Sequence, residues 1–191
     1  FGPVWARLAV LANVGVMDDQ TTIFIDNDHV TAASTDRIEV NNPATESVIG
    51  SVPDCGPSYI DRAVASSVAA FNGEWRTWTP DVRVEALSRL SQAIQARAQE
   101  FAVVFSAEVG TATTQSMMMQ VFASWMGLDQ YVNVAKNYAW QEQRQGSLGQ
   151  KVLVNKQPVG VCAGIVPWNV PLFIAAMKLG PVIATGSTMI L

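Results

Sequence analysis

Several features that would place this chain in a particular protein class are missing from its sequence. The 191 residues include 12 lysines and arginines against 16 aspartates and glutamates, and the basic residues form no run. The net charge of −4 argues against a nucleic-acid backbone as partner. Blocks of like charge, low-complexity tracts and internal repeats are also absent. With 49% hydrophobic residues, the chain is long enough to form one good core.

Two apolar stretches could be mistaken for membrane segments. Residues 157–177 contain no charged side chain and are long enough to span a bilayer. Pro167, Asn169 and Pro171, however, would break a lone helix in lipid. Residues 1–16 are apolar but have no basic start, so they are a poor signal peptide. We expect no membrane partner, and we expect residues 1–16 to be an extension outside the folded domain.

Cysteine and histidine are too scarce to suggest an obvious reactive centre. Cys162 lies in an apolar run, where a free thiol usually behaves as a small hydrophobic residue. Cys55 lies in a turn with no basic neighbour, so we expect neither cysteine to be a nucleophile. Two unpaired thiols fit a reducing cytoplasm. His29 follows Asp26-Asn27-Asp28, which could bind a cation but is typical of a hairpin turn, so we expect no metal site.

Apolar residues at helical spacing predict a largely helical middle of the chain. We expect helices from Ser58, with Asp61 completing a capping box, to Gly73, from Thr79-Pro80 to Gly110, and from about Thr113 to Tyr138. The three methionines at residues 117–119 could form an adaptable binding surface, but we expect them to fill core gaps. A polar linker is expected at residues 141–150, before a strand at residues 151–155.

The last 34 residues have the order of elements that a nucleotide-binding crossover needs. Residues 159–166 interleave β-branched and small residues, which predicts a central parallel strand covered on both faces. Pro167 would end that strand, and Pro171 suits the first turn of a following helix. Trp168 and Asn169 would then lie at the carboxyl end of a strand, where open α/β sheets bind ligands. The amide of Asn169 is therefore a candidate for polarising a substrate oxygen.

This segment resembles the NAD(P)-dependent aldehyde dehydrogenases, whose PxGVxxxIxPWNxP block is matched closely. The matching residues are Pro158, Gly160, Val161, Ile165, Pro167, Trp168, Asn169 and Pro171. Three earlier segments are similar to family markers in the same order. They are the hairpin at residues 42–53 that contains Asn42-Pro43-Ala44-Thr45, the helix with Trp78, Arg83, Leu87 and Leu90, and the turn at Glu108 and Gly110. The resemblance extends from about Phe24 to Leu191.

The resemblance implies an α/β fold with a partial Rossmann-like cofactor-binding domain behind an amino-terminal region of helices and hairpins. Residues 1–16 would be the extension and residues 17–144 the amino-terminal part of the cofactor domain. Residues 145–157 would be a linker with an oligomerisation strand, and residues 158–191 the start of a truncated Rossmann-like core.

The resemblance also implies functional roles for five residues. Ile165, Val166, Pro167 and Trp168 would line the nicotinamide and ribose part of an NAD or NADP site, and the alternative for them is plain core and turn packing. Asn169 would donate to the oxyanion of a thiohemiacetal. The substrate would be an aldehyde, and the full-length enzyme would be a homodimer or homotetramer.

Several residues that the family's chemistry requires are absent from this sequence. They are the nucleophilic cysteine, the glutamate base, the GxTxxG motif and the Lys-Pro that would follow Leu191. We therefore interpret the chain as the amino-terminal portion of a longer subunit, inactive by itself. Thr111 and Ser187 depart from common family residues, and substrate and cofactor preference stay open. The alternative is a non-catalytic interaction module or decayed remnant of such an enzyme.

Overall fold

The first element of the structure is a tight hairpin. In this computed structural model, which describes residues 19–191, strand β1 (Thr22–Ile25) pairs antiparallel with β2 (Asp28–Thr31). Asp26 and Asn27 have φ of 57° and 61°, the positive values that a type I′ turn requires. The predicted hairpin is thereby confirmed. The expected extension at residues 1–16 lies outside the described residues.

A second hairpin follows at the predicted position. Strand β3 (Arg37–Asn41) pairs antiparallel with β4 (Val48–Pro53), with a shift of register between Val40 and Asn41. The side chain of Asn42 accepts a hydrogen bond from the Ala44 amide at 2.9 Å, which fixes the turn between the strands.

Helices form most of the remaining structure. They are α1 (Pro57–Asn72), α2 (Pro80–Ala96), α3 (Ala98–Val109), α4 (Thr113–Ser116), α5 (Ala123–Lys136) and α6 (Pro171–Thr185). A 3₁₀ turn at Glu74–Thr77 follows α1, and a π-helical turn at Met117–Phe122 joins α4 to α5.

The start of α1 differs from the prediction, whereas its end agrees. The helix begins at Pro57 after Gly56, and no side chain caps it. The capping box at Ser58 and Asp61 is therefore wrong. Pro57 has the fixed φ of a first helical residue and no amide hydrogen, so the N-cap position is Gly56, two residues before Ser58. Gly73 ends the helix as predicted.

The helix predicted to run from Pro80 to Gly110 is two helices. Thr79 caps α2 by accepting a hydrogen bond from the Val82 amide, as expected. Arg97, with φ −109° and ψ 20°, separates α2 from α3, and its guanidinium pairs with Glu100 in the first turn of α3. Apolar spacing continues across the break, so periodicity could not locate it. Gly110 ends α3 in the left-handed conformation.

The third predicted helix contains the π turn, which changes the helical phase. As a result Gln120 and Val121 are buried, whereas Met118 and Met119 are 52% and 56% exposed. The expectation that all three methionines fill the core is therefore wrong, and Met117 alone packs against it.

The region expected to be a polar linker is a strand. β5 (Gln141–Gln145) pairs antiparallel with β6 (Lys151–Asn155), and residues 146–150 form the turn between them. The strand was missed because its side chains are all polar. Main-chain hydrogen bonds hold β5 against β6, and they require no alternation of apolar and polar residues that a sequence could reveal.

The last three elements form a β-α-β unit. β7 (Val161–Ala163) and β8 (Thr188–Ile190) pair in parallel, and α6 connects them. The strand predicted over residues 159–166 is three residues long. Gly160 before it has φ 116°, and the last hydrogen bond to β8 is the one that the Gly164 amide donates to the Ile190 carbonyl at 2.7 Å. Within the described residues β7 pairs with β8 alone, so a central position in a larger sheet stays a prediction.

The core lies where α2 packs against α5 and α6. The buried residues that contact one another there are Val84, Leu87, Leu90, Ile94, Ala102, Val121, Leu128, Val132, Ala135, Ala176, Ile183 and Ala184. Over residues 19–191, no helix has the combination of length and apolar character that crossing a membrane takes.

Candidate active site

The turn that joins β7 to α6 holds all five residues singled out from the sequence. Ile165 and Trp168 are 85% and 82% exposed, and Pro167 and Asn169 are exposed as well, whereas Val166 is half-buried. Helix α6 starts directly after this turn, with the Ile174 amide donating to the Val170 carbonyl at 3.1 Å. The five residues thus lie outside the carboxyl end of a parallel strand, where open α/β sheets bind ligands.

One side of the turn borders a cavity of about 300 Å³. Its lining comes from the end of α3, the segment around α4, the π turn and the β7–α6 turn, with the residues Val109, Thr111, Gln115, Met119, Gln120, Trp168, Asn169 and Val170. The polar side-chain groups among them are three amides, one hydroxyl and the indole N–H of Trp168. The described lining can therefore bind and polarise a ligand, but it supplies neither a nucleophile nor a base.

Gln120 connects the π turn to the β7–α6 turn. Its side chain is 1% exposed, and its Nε2 donates to the Asn169 main-chain carbonyl at 2.8 Å. The hydroxyl of Ser124 donates to the Gln120 main-chain carbonyl. The Oε1 atom of Gln120 is buried without a hydrogen-bond partner. Sequence reasoning missed this residue, although a glutamine within the run Met-Met-Met-Gln-Val-Phe is a polar signal in an apolar segment.

Neither the two cysteines nor the histidine line the cavity. Cys162 is half-buried in β7, with its Sγ 4.0 Å from the Gly160 carbonyl, so it is less enclosed than expected. Cys55 is half-buried just before α1. His29 faces Thr22 across the first hairpin, with its Nδ1 3.4 Å from the hydroxyl. Residues 19–191 hold no group of three metal-ligating side chains.

One titratable group is perturbed near the cavity. Glu108 precedes Val109 at the end of α3, and desolvation raises the pKa of its carboxyl above the ordinary value. The residue as a whole is exposed, so solvent screens this effect. Glu108 does not line the cavity, and we assign it no chemical role.

Comparison with known sequences identifies related proteins over most of the chain. The model of the aldehyde dehydrogenase family matches residues 29–191. An aldehyde dehydrogenase from Alternaria alternata is 34% identical over 182 residues, which cover 93% of this chain and 35% of the relative. A geranial dehydrogenase from Castellaniella defragrans is 30% identical over 173 residues, which cover 90% and 36%. The chain spans about a third of the length of these relatives.

Solved structures agree with these sequence matches. A Mycobacterium tuberculosis aldehyde dehydrogenase complexed with NAD+ superposes with a TM-score of 0.85 at 32% identity, covering 92% of this chain and 36% of the other. A mutant aldehyde dehydrogenase C from Pseudomonas syringae, complexed with NAD+ and octanal, gives 0.84 at 32% identity, covering 93% and 36%. The expected α/β fold with a partial Rossmann-like cofactor-binding domain is thereby confirmed, and this chain belongs to the aldehyde dehydrogenase family.

Proposed function

We propose that this chain forms part of an enzyme that oxidises aldehydes to carboxylic acids with NAD(P)+. The observation that carries the proposal is the position of Asn169, which is exposed beside a cavity at the carboxyl end of β7 in a chain that matches the family over residues 29–191. Relatives described as aldehyde and geranial dehydrogenases support an aldehyde as the substrate.

In this proposal Asn169 acts on the substrate oxygen. A thiolate from a cysteine outside this chain attacks the aldehyde carbon, and the carbonyl oxygen becomes a thiohemiacetal oxyanion. The side-chain amide of Asn169 is a neutral donor that can approach this oxygen without gaining or losing a proton itself. Such a donor stabilises the charge that develops in the transition state.

The turn residues before Asn169 suit one wall of a dinucleotide site. Ile165, Pro167 and Trp168 expose apolar surface on the turn, which a flat nicotinamide ring could cover. The main chain of residues 165–168 makes no hydrogen bond within the described part of the chain, so its polar groups are available to ribose hydroxyls. Val166 is half-buried, so it contributes less exposed apolar surface to this wall. When bound, NAD(P)+ supplies the acceptor of the substrate hydride.

The same residues carry no preference between NAD and NADP. In the proposal they contact the nicotinamide half of the cofactor, whereas the two cofactors differ by a phosphate on the adenine ribose. The complexes of two relatives with NAD+ support at least that cofactor.

The β5–β6 hairpin is the part of the chain that we assign to subunit pairing. Val152 and Leu153 of β6 are exposed apolar residues on a strand with one unpaired edge within residues 19–191. An exposed edge of this kind readily pairs with another chain. We propose a homodimer or homotetramer, located in the cytoplasm, where the free thiols of Cys55 and Cys162 would stay reduced.

The experiment that tests the proposed function is an assay of the full-length subunit that contains this segment. The protein is incubated with a panel of aliphatic and aromatic aldehydes and with NAD+ or NADP+, and the reduced cofactor is followed by its absorbance. We expect aldehyde-dependent reduction of at least one cofactor, with the matching carboxylic acid as product. Absence of reduction with every aldehyde, in a protein that is folded and has its cysteines reduced, would contradict the proposal.

A further inference from the structure

The β7–α6 turn has very few internal hydrogen bonds. Pro167 and Pro171 lack an amide hydrogen and can donate none. Across the described residues, the main chain of residues 165–169 makes a single hydrogen bond, which the Asn169 carbonyl accepts from Gln120 Nε2 at 2.8 Å. The position of the Asn169 main chain therefore depends on a side chain from a different helix.

Gln120 is itself held in place from two directions. The π turn at Met117–Phe122 changes the helical phase so that Gln120 is buried. The Ser124 hydroxyl, which is fully buried, donates to the Gln120 main-chain carbonyl. π turns of this kind occur frequently at functional sites.

The buried amide of Gln120 has a stability cost that its one hydrogen bond does not fully offset. Its Oε1 is buried without a partner, and a buried acceptor in that state destabilises the fold. An apolar side chain of the same length would avoid this penalty. The hydrogen bond that Nε2 donates to the Asn169 carbonyl therefore explains the presence of an amide here better than core stability does.

We propose that Gln120 is a positioning residue for oxyanion stabilisation. By holding the Asn169 carbonyl, it fixes the main chain from which the Asn169 side-chain amide extends beside the cavity. Gln120 acts through Asn169 and takes no part in bond making. This inference rests on the proposed function, because it assigns a role within the same reaction.

The first test is Gln120→Met in the full-length subunit, with Gln130→Met as the matched control. Methionine has the length of glutamine but no donor, and Gln130 is exposed on α5, away from the cavity. We expect kcat to fall about tenfold, because small displacements of a catalytic group are costly. KM for the cofactor should stay at the wild-type value. The thermal midpoint should stay at or above the wild-type value, since the substitution also removes the unpaired Oε1.

A merely structural role would give a different pattern. The thermal midpoint of Gln120→Met would then fall, and kcat per folded enzyme would match that of Gln130→Met. Ser124→Ala is a second variant with little change of volume. Because it removes the hydrogen bond that the Gln120 main-chain carbonyl accepts from Ser124, we expect a loss of kcat about threefold, in the same direction. A wild-type kcat in Ser124→Ala and Gln120→Met alike would overturn the inference.

A double-mutant cycle separates action through Asn169 from an independent effect. In an Asn169→Ala background, Gln120→Met should lower kcat less than about twofold, because the group that it positions is already absent. A further tenfold loss in that background would overturn the inference. If the wild-type enzyme oxidises no aldehyde, the proposed function and this inference fail together. If the wild type is active and Gln120→Met matches its control, the inference alone fails.

Discussion

Among the glycines of residues 19–191, Gly110 is the one at which an added methyl group should disturb the fold most. It ends α3 with φ +82°, a conformation that side chains with a Cβ rarely adopt. A Cβ placed on Gly110 would lie 2.4 Å from Cγ of Pro43, which is in the turn between β3 and β4. Gly110→Ala therefore combines local strain with a clash between two segments that are far apart in sequence.

The two contributions can be estimated separately. The left-handed conformation costs an alanine about 1 kcal/mol relative to glycine. Overpacking against a rigid neighbour costs typically about 1–3 kcal/mol, and the Pro43 ring cannot rotate away. We therefore expect Gly110→Ala to lower the free energy of unfolding by about 2–4 kcal/mol.

Two other glycines separate strain from clash. Gly149 has φ +85°, and a methyl group added at its Cα would meet nothing within 4 Å, so Gly149→Ala should show the strain alone, about 1 kcal/mol. Gly56 has a negative φ and open space around it, so Gly56→Ala should be nearly neutral. Adding Pro43→Ala to Gly110→Ala should recover part of the clash energy.

Urea denaturation of the full-length subunit is the assay, with the midpoint and the slope compared across these variants. Hydrogen exchange of amides in α3 and in the β3–β4 hairpin shows whether the loss is local. Equal destabilisation by Gly110→Ala and Gly149→Ala would refute the contact with Pro43. An unchanged midpoint for both would refute the backbone argument as well.

Three further changes test the packing and the electrostatics of the helices. Gly180→Ala should lower the free energy of unfolding by about 1–3 kcal/mol, because the added Cβ would lie 2.3 Å from Cδ2 of the Tyr131 ring. An unchanged urea midpoint would contradict this close approach of α5 and α6. Arg83→Met should lower the free energy of unfolding by about 2 kcal/mol, since the guanidinium donates to two main-chain carbonyls, one of them near the end of α6. Arg89→Met, at an exposed site, is the control. Glu100→Gln should cost about 0.5 kcal/mol at neutral pH, because the hydrogen bond from Arg97 holds the pKa of Glu100 below its ordinary value. That contribution is complete above the unfolded-state pKa of about 4.3 and disappears as the pH falls through the lower folded-state pKa, so a difference that persists in strong acid would contradict it.

The sequence predicted the parts of the fold that have strong local signals. The Asp26-Asn27 turn, the Thr79 cap and the Gly110 stop each depend on a residue type with a specific backbone role, and each was found where expected. The β-α-β unit at the end of the chain was also predicted, because prolines and apolar runs mark its elements.

Features set by tertiary contacts were not predictable in the same way. The break at Arg97 and the π turn at Met117–Phe122 lie inside continuous apolar periodicity, so pattern alone cannot show them. Strand β5 is polar and is defined by its pairing with β6. The contact of Gln120 with Asn169 joins residues 49 positions apart and requires the packed structure.

The rate of the acylation step in Asn169→Ala shows most directly whether this side-chain amide stabilises the oxyanion. The substitution removes the side-chain amide but leaves the main-chain carbonyl that Gln120 holds, so the turn should keep its position. Asn133→Ala, at an exposed position on α5, is the matched control. We expect a rate about a hundred to a thousand times below wild type for Asn169→Ala and a wild-type rate for the control. A loss smaller than about threefold would contradict the assignment of Asn169 to the oxyanion.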